Sequence, residues 1–195
     1  MTDPDKPIPG MLRIAIEHTP APTDPKGADE FYKALGIFIV AWGRLEGHFV
    51  VCLMTLLNLP GGNELGEQLP MNFDRRATLW RKAFETMTPL QSFRENALAF
   101  LAEITDVAKD RNAIAHALWE SFAPSEPASI GIVTIKAKNK TKNRLDIRRA
   151  TITTALLKEI GEKANGLNLA LTPLSQFLTW YRSSLNPPPS DTRTI

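Results

Sequence analysis

The chain has 195 residues and a mass of 21.7 kDa, with 43% hydrophobic and 23% charged residues. This composition suits one compact domain and excludes a chain that is disordered throughout. Cys52 is the only cysteine, which excludes a disulfide scaffold and, with three histidines, argues against a structural zinc site. The net charge of +2 makes the chain as a whole neither strongly basic nor strongly acidic.

Both ends of the chain are predicted to lie outside the folded domain. Residues 1–27 contain six prolines, which fix φ and remove backbone donors, so we interpret them as an irregular, Pro-rich N-terminal arm. Residues 185–195 contain three consecutive prolines and are expected to form a flexible C-terminal tail. The folded domain is therefore expected over residues 28–184.

The most apolar stretch, residues 35–57, is long enough to span a bilayer but carries charges near its middle. Arg44 and Glu46 would each cost about 2.5–3.5 kcal/mol at the centre of a membrane. The N-terminus also lacks the basic start and apolar run of a signal peptide. We expect a buried helix in a soluble, cytoplasmic protein that does not contact a membrane.

Apolar residues recur at steps of three and four through most of the domain, which is typical of amphipathic helices. Pro60-Gly61-Gly62 ends the first helix, Asp74 is predicted to cap the second, and Thr88-Pro89 is a start signal for the third. The predicted helices cover about residues 29–58, 74–87, 88–118 and 154–183. Thr172-Pro173 is expected to kink or restart the last helix.

A β-branched segment interrupts this helical pattern before the last helix. Residues 129–138 are typical of a strand, residues 139–143 of a turn, and residues 144–149 of a second strand. They predict a β-hairpin over residues 129–149. The expected fold is all-α, an antiparallel bundle of four to five helices with this small basic β-hairpin inserted between the third and last helices.

Arg111 lies in the middle of the apolar stripe of the third helix, where an unpaired guanidinium is costly to bury. Three explanations are open: it pairs with a buried acid, lies at a subunit boundary, or lines a cleft that receives an anion. Around the helix, Asn112 is about 100° and His116 about 140° from Arg111, so the three side chains spread across one side. They can converge on a ligand only if that side faces a groove.

The segment Arg111-Asn112-Ala113-Ile114-Ala115-His116 resembles the R-x4-6-H motif of the HEPN superfamily, including the polar residue that often follows the arginine. Its place toward the end of a long third helix, in an expected four-helix bundle, also resembles this family. The resemblance implies a homodimer that brings two motifs into one cleft. Many such domains are metal-independent endoribonucleases of toxin–antitoxin or antiviral-defence systems. The β-hairpin departs from the minimal bundle of the family.

The resemblance also implies a mechanism that needs neither a cofactor nor a metal. His116 would act as general base on a ribose 2′-OH or as general acid on the leaving 5′-oxygen, since histidine ordinarily titrates at about pH 6.5. Arg111 would hold the scissile phosphate and stabilise its added charge in the transition state. Asn112 would orient the phosphate or the imidazole. The products would carry a 2′,3′-cyclic phosphate.

Glu46, close to the apolar stripe of the first helix, is the candidate acid for Arg111. The hypothesis is an ion pair, buried or at the edge of a cleft, that orients the guanidinium; the alternative is that Glu46 points into solvent. His48 points elsewhere on the helix and is assigned no role. Cys52 lies in the apolar stripe and is expected to be a core residue rather than a nucleophile.

Positive charge is concentrated in the predicted hairpin. Residues 136–149 contain one acid, Asp146, and seven basic residues: Lys136, Lys138, Lys140, Lys142, Arg144, Arg148 and Arg149. A ribbon of this kind can neutralise phosphates and hold RNA near a cleft. Two other interpretations are open: a solvated hairpin whose lysines prevent edge pairing, and a docking site for an acidic partner such as an antitoxin or another regulatory protein.

The leading functional prediction is a metal-independent endoribonuclease of toxin or antiviral-defence type, with a composite Arg/His site at a dimer cleft. The alternative is a non-catalytic HEPN-like module that binds a nucleotide, RNA or a partner protein, or that serves only for dimerisation. The positions of Arg111 and His116 distinguish these classes. An enzyme needs both side chains at the surface of one cleft, whereas a purely structural domain buries both.

Overall fold

The computed structural model describes the backbone of residues 27–123, 126–139 and 144–185, and the side chains of these ranges except for residues 121–128 and 135–146. The predicted N-terminal arm up to residue 26, the C-terminal tail from residue 186 and the hairpin turn at 140–143 lie outside the described residues.

The described chain forms four α-helices and a three-stranded antiparallel sheet. The helices are α1 (Ala28–Leu57), α2 (Phe73–Thr86), α3 (Arg94–Ala115) and α4 (Thr154–Leu185), with short 3-10 helices at Gly62–Glu64 and Thr88–Phe93. The strands are β1 (Leu118–Ala123), β2 (Glu126–Asn139) and β3 (Arg144–Thr153), in the order β1-β2-β3. The predicted helical bundle with a hairpin between its third and last helices is confirmed.

Local signals place most helix ends within two residues of their predicted positions. The Asn72 side chain caps α2 by accepting a hydrogen bond from the Arg75 amide at 2.9 Å, so Asp74, the predicted cap, lies inside the helix. Thr88-Pro89 starts a 3-10 helix that leads into α3, rather than α3 itself. Pro173 lies inside α4, which continues through it to Leu185.

α1 provides the centre of the core. Phe31, Phe38, Leu45 and Phe49 are fully buried on one face of this helix, and Trp80 of α2 packs on Phe49 with ring centroids 4.9 Å apart. Within the described residues, α1 is also the helix that is long and apolar enough to cross a membrane. One face of α1 is buried in the bundle. A soluble protein with a cytoplasmic location stays a prediction.

The directions of the helices differ from the simple antiparallel bundle that we expected. Lys158 pairs with Glu30 at 2.7 Å and Asn168 hydrogen bonds His48 at 3.1 Å, so α4 runs in the same direction as α1. α2 also runs in the same direction as α1, since Phe73 packs near Trp42 and Trp80 packs near Phe49. α3 runs the opposite way. The reason is the connection at residues 58–72, which returns the chain alongside α1 before α2 begins.

The sheet packs at the end of the bundle where α1 begins. Ile130, Ile132 and Ile152 are buried, and the Trp119 ring meets Phe31 edge-on at a centroid distance of 6.2 Å. This arrangement corrects one prediction. α3 ends at Ala115 rather than near residue 118, and the residues that follow, with Trp119 among them, form a strand.

α3 ends early because the residues after it pair with β2 instead of continuing the helix. Leu118 is in register with Val133 and Trp119 with Ile132, and these contacts replace another turn of helix. The predicted hairpin strands are therefore the second and third strands of a larger sheet.

Candidate functional site

Arg111 and Asn112 form a pair on the last turns of α3. The Arg111 Nη1 donates a hydrogen bond to Asn112 Oδ1 at 3.0 Å. Arg111 is half-buried and Asn112 is exposed. Among the described residues, no carboxylate lies within ion-pair distance of Arg111.

A cleft of about 280 Å³ lies in front of this pair, between α1, α3 and the start of α2. It is lined by Trp42, Glu46, Met71, Asn72, Phe73, Asp74, Ala108, Arg111 and Asn112. The exposed Met71 forms part of its lining. Between two of the explanations for Arg111, a buried acid and a cleft, the described residues favour the cleft.

Glu46 lines the same cleft but is paired with a different arginine. Its carboxylate binds Arg76 Nη1 at 3.0 Å and accepts a hydrogen bond from Trp42 Nε1 at 3.0 Å. Arg76 in turn donates from Nε to the Pro70 carbonyl at 2.8 Å. The hypothesis of an ion pair between Glu46 and Arg111 is therefore wrong, because both carboxylate oxygens already have partners on α1 and α2.

His116 lies at the end of α3 and is exposed. Its backbone amide donates to the Asn112 carbonyl at 3.1 Å, which places it as the C-cap of the helix. The side chain is not among those that line the cleft in front of Arg111. The structure thus brings Arg111 and Asn112 together and leaves His116 free in solvent one turn further along.

The basic hairpin extends past the start of β1. β2 pairs with β1 only up to Val133, opposite Leu118, while its pairing with β3 continues to Asn139. Because β1 and β2 are antiparallel, the part of β2 after Val133 continues beyond Leu118, away from the rest of β1. Six further residues at about 3.3 Å each give an extension of roughly 20 Å.

Of the seven basic residues of the hairpin, the structure describes the side chains of two. Arg148 and Arg149 are exposed on β3, and Arg149 lies 3.6 Å from the Glu120 carboxylate. Lys136, Lys138 and Arg144 lie on the paired strands, but their side chains are outside the described part of the chain. Lys140 and Lys142 fall in the turn, which is also outside it.

Three other polar residues of the bundle, Cys52, His48 and Asp110, do not line the cleft in front of Arg111. Burial raises the pKa of the Cys52 thiol to about 11, against a smaller opposing effect of a hydrogen bond with Ser175, so Cys52 is an inert core residue as predicted. His48 contacts Asn168 across the α1–α4 interface. Burial and the neighbouring Asp106 raise the pKa of Asp110, which interacts with Lys163 of α4 rather than with Arg111.

Residues at and just before the start of α2 complete the cleft, and the sequence pattern did not single them out as site residues. Met71, Phe73 and Asp74 follow an irregular segment and meet Arg111 only through the folding of α2 against α3. Asp74 introduces negative charge into the lining of the cleft. Within the described ranges, no three His, Cys, Asp or Glu side chains come together as a metal site would require.

Comparisons of the chain with protein-family models, with curated proteins and with solved structures find no match.

Proposed function

We propose that this protein is a metal-independent endoribonuclease whose site is composed of Arg111, Asn112 and His116. The observation that carries the proposal is the end of α3. There, an arginine without a carboxylate partner among the described residues is held by Asn112 in an open cleft, and an exposed histidine follows one turn later. A purely structural role for Arg111 and His116 predicts that both side chains are buried. In the structure Arg111 is half-buried and His116 is exposed.

The reaction is an in-line attack of a ribose 2′-oxygen on the adjacent phosphorus. The 2′-oxygen–phosphorus bond forms, the phosphorus–5′-oxygen bond breaks, and a 2′,3′-cyclic phosphate and a 5′-hydroxyl result. The imidazole of His116 takes the 2′-hydroxyl proton or supplies the proton of the leaving 5′-oxygen. Arg111 binds the phosphate oxygens and stabilises the charge that accumulates in the transition state.

A composite site accounts for the separation of His116 from the Arg111 cleft. An exposed histidine at a helix end can reach a phosphate held by the arginine of a second copy, so a homodimer is part of the proposal. The resemblance of the Arg111–His116 segment to the HEPN motif supports this arrangement and a role in a toxin or antiviral-defence system, with an antitoxin or other regulatory protein as partner.

The basic ribbon is proposed to hold the RNA. It extends roughly 20 Å past the start of β1, the strand that follows His116 in the chain, so we infer that a strand bound to its cations passes close to the site. Contacts of lysine and arginine with phosphates are sequence-independent and position the chain rather than select it.

The second candidate function is a non-catalytic module that binds RNA, a nucleotide or a partner protein. It is favoured by one observation: His116 does not line the cleft that Arg111 lines. In such a module Arg111 holds a phosphate and His116 makes no contribution to chemistry.

An RNA-cleavage assay in EDTA tests the proposal and separates it from the binding module. We expect cleavage by the wild-type protein, and a loss of at least about 100-fold for His116→Ala, which removes a general acid or base, and for Arg111→Ala, which removes a group that stabilises transition-state charge. Arg94→Ala, at the exposed start of α3, is the matched arginine control and should cleave normally. All variants are first compared by circular dichroism and melting temperature.

Three results would contradict the proposal. Cleavage that disappears in EDTA indicates metal chemistry, and full activity of His116→Ala indicates a different general base. If the folded wild type binds RNA but does not cleave it, and His116→Ala binds equally well, the binding module is correct.

A further inference from the structure

The last turns of α4 carry a row of aromatic rings. Phe177 stacks on Tyr181 with ring centroids 5.9 Å apart and an angle of 7° between the rings, and the Trp180 ring lies 6.1 Å from Phe177. Phe93, at the end of the 3-10 helix before α3, joins the row with its centroid 4.6 Å from that of Phe177. We name Phe93, Phe177, Trp180 and Tyr181 the aromatic surface.

The aromatic surface is accessible to solvent. Trp180 is 64% exposed, and the other three rings are half-buried. A single exposed aromatic ring is common on proteins, but four rings in contact form a continuous apolar patch of the kind that marks an interaction site. The indole N–H of Trp180 and the hydroxyl of Tyr181 add hydrogen-bond donors. The surface therefore suits a segment that is apolar and rich in acceptors.

The chain itself has such a segment directly after α4. The helix ends at Leu185, and Asn186 is followed by Pro187-Pro188-Pro189. Proline offers an apolar ring and a carbonyl acceptor but no backbone donor, and consecutive prolines favour the polyproline II conformation. Proline-rich segments in this conformation bind to surfaces lined by aromatic rings.

We propose that the chain folds back at Asn186 and that Pro187-Pro188-Pro189 pack on the aromatic surface of the same copy. The lengths agree. Along α4, Tyr181 lies about 6 Å and Phe177 about 12 Å before Leu185. A polyproline II segment advances about 3.1 Å per residue, so the first and last of the three prolines lie about 6 and 12 Å from Leu185.

The attachment of the prolines to α4 favours this contact over one with free peptide. A short linker gives an effective concentration in the millimolar range, so a low intrinsic affinity is sufficient. The contact needs no second copy of the chain. It also does not depend on the proposed function, because the residues of the aromatic surface are not among those that line the Arg111 cleft.

The other proline-rich segment, residues 1–26, fits the aromatic surface less well. Lys158 of α4 pairs with Glu30, so the start of α1 lies level with the start of α4. The aromatic residues of α4 lie about 29–35 Å further along the bundle. The six prolines of residues 1–27 are also not adjacent to one another, so they favour polyproline II less strongly than three in succession.

A groove continues the aromatic surface between α3 and α4. It has a volume of about 410 Å³, and its lining includes Trp80, Phe93, Ala170 and Pro173. At about 3.1 Å per residue, a tail that keeps its direction along α4 brings Thr192 about 22 Å from Leu185. Ala170 lies at the same distance along the helix. The buried indole of Trp80 is therefore a reporter for the position of residue 192.

A spin label on the tail of the full chain tests the proposal. Thr192→Cys adds a thiol that can be labelled selectively, because Cys52 is buried and burial raises the pKa of its thiol to about 11. We expect a nitroxide at position 192 to broaden the indole N–H resonance of Trp80 in the NMR spectrum. The resonance of Trp119, which packs on Phe31 at the other end of α1, should stay sharp.

Two substitutions in the labelled chain show whether the prolines and the rings make the contact. Trp180→Ala should reduce the broadening at Trp80 several-fold, and so should the joint replacement of Pro187, Pro188 and Pro189 by glycine, which removes the polyproline II preference. Tyr32→Ala is the matched control, since Tyr32 is also an exposed aromatic residue, at the start of α1. It should leave the broadening unchanged. Melting temperatures confirm that each variant is folded.

Three results would overturn the proposal. A sharp Trp80 resonance in the labelled wild-type chain shows that the tail does not follow α4. Broadening that persists in folded Trp180→Ala or in the triple-glycine variant shows that the tail is held by other contacts. Broadening in a mixture of ¹⁵N-labelled chain without nitroxide and unlabelled chain with nitroxide shows that the tail binds another copy.

Discussion

At the scale of single residues, Glu46 pairs with Arg76 and therefore does not pair with Arg111. The Glu46 carboxylate connects Trp42 of α1 with Arg76 of α2, and the Arg76 side chain is only 15% exposed. Because Glu46 neutralises this half-buried arginine, it stabilises the wall of the cleft. Among the described residues, Arg111 has a neutral hydrogen-bond partner, Asn112, and no carboxylate within ion-pair distance.

Glu46→Gln should therefore lower stability by about 1–2 kcal/mol, since hydrogen bonds to charged groups contribute about this much and an unpaired arginine would remain in the wall. Urea denaturation followed by tryptophan fluorescence gives the change. Asp106→Asn, which breaks the exposed pair with Lys109, is the control and should leave the midpoint unchanged. Equal midpoints for wild type and Glu46→Gln would show that the pair makes no net contribution.

At the scale of secondary-structure elements, α4 keeps its helical path through a residue that normally breaks helices. Pro173 lacks the amide that would bond the Leu169 carbonyl, and its ring crowds that carbonyl. The packing of Leu171 and Leu178 on the bundle, before and after the proline, holds the helix together. The tertiary contacts of α4 therefore outweigh its local helix propensity at this point.

Pro173→Ala should stabilise the protein by about 1–3 kcal/mol, because it restores the backbone donor and removes the ring from an exposed helical position. The measurement is the urea midpoint at constant slope. Thr172→Ala, one exposed residue away, should raise stability by no more than about 0.7 kcal/mol. A Pro173→Ala variant that is no more stable than the wild type would mean that the helix has relaxed around the proline without cost.

At the scale of the whole molecule, charge is separated between the ribbon and the bundle. The net charge of the chain is +2, although residues 136–149 alone contain seven basic residues and one acid. The rest of the chain is therefore acidic overall. It would repel an RNA that approaches the molecule anywhere except at the ribbon. Under the proposed function, this separation favours contact of the RNA with the ribbon over contact with the bundle.

Replacing Lys136, Lys138, Lys140 and Lys142 by Gln should weaken RNA binding and flatten its dependence on salt. For single strands, each lost phosphate contact lowers the slope of log K against log salt by about 0.7, so four lost contacts lower it by about 3. Fluorescence anisotropy between about 50 and 200 mM salt measures the slope. Lys109→Gln on α3 is the control. An unchanged slope in the fourfold variant would show that the ribbon does not contact phosphates.

Local patterns in the sequence were sufficient to predict most secondary-structure elements and some residues of the candidate site. The three- and four-residue steps of α1, α2 and α4 place these helices correctly, because an apolar stripe and its end signals act over neighbouring residues. The β-branched residues of β2 and β3 likewise locate the hairpin. Arg111 and Asn112 stood out because a charged residue interrupts an apolar stripe, and both prove to line a cleft.

Contacts between residues far apart in the chain decided the rest. β1 exists because Leu118 and Trp119 find partners on β2 and α1, and this pairing overrides a helical pattern that continues past Ala115. The partner of Glu46 is Arg76 rather than Arg111 because α2 folds back along α1, a path that no local signal specifies. A sequence pattern can show that a charge needs a partner, but the choice among several cations depends on how the helices pack.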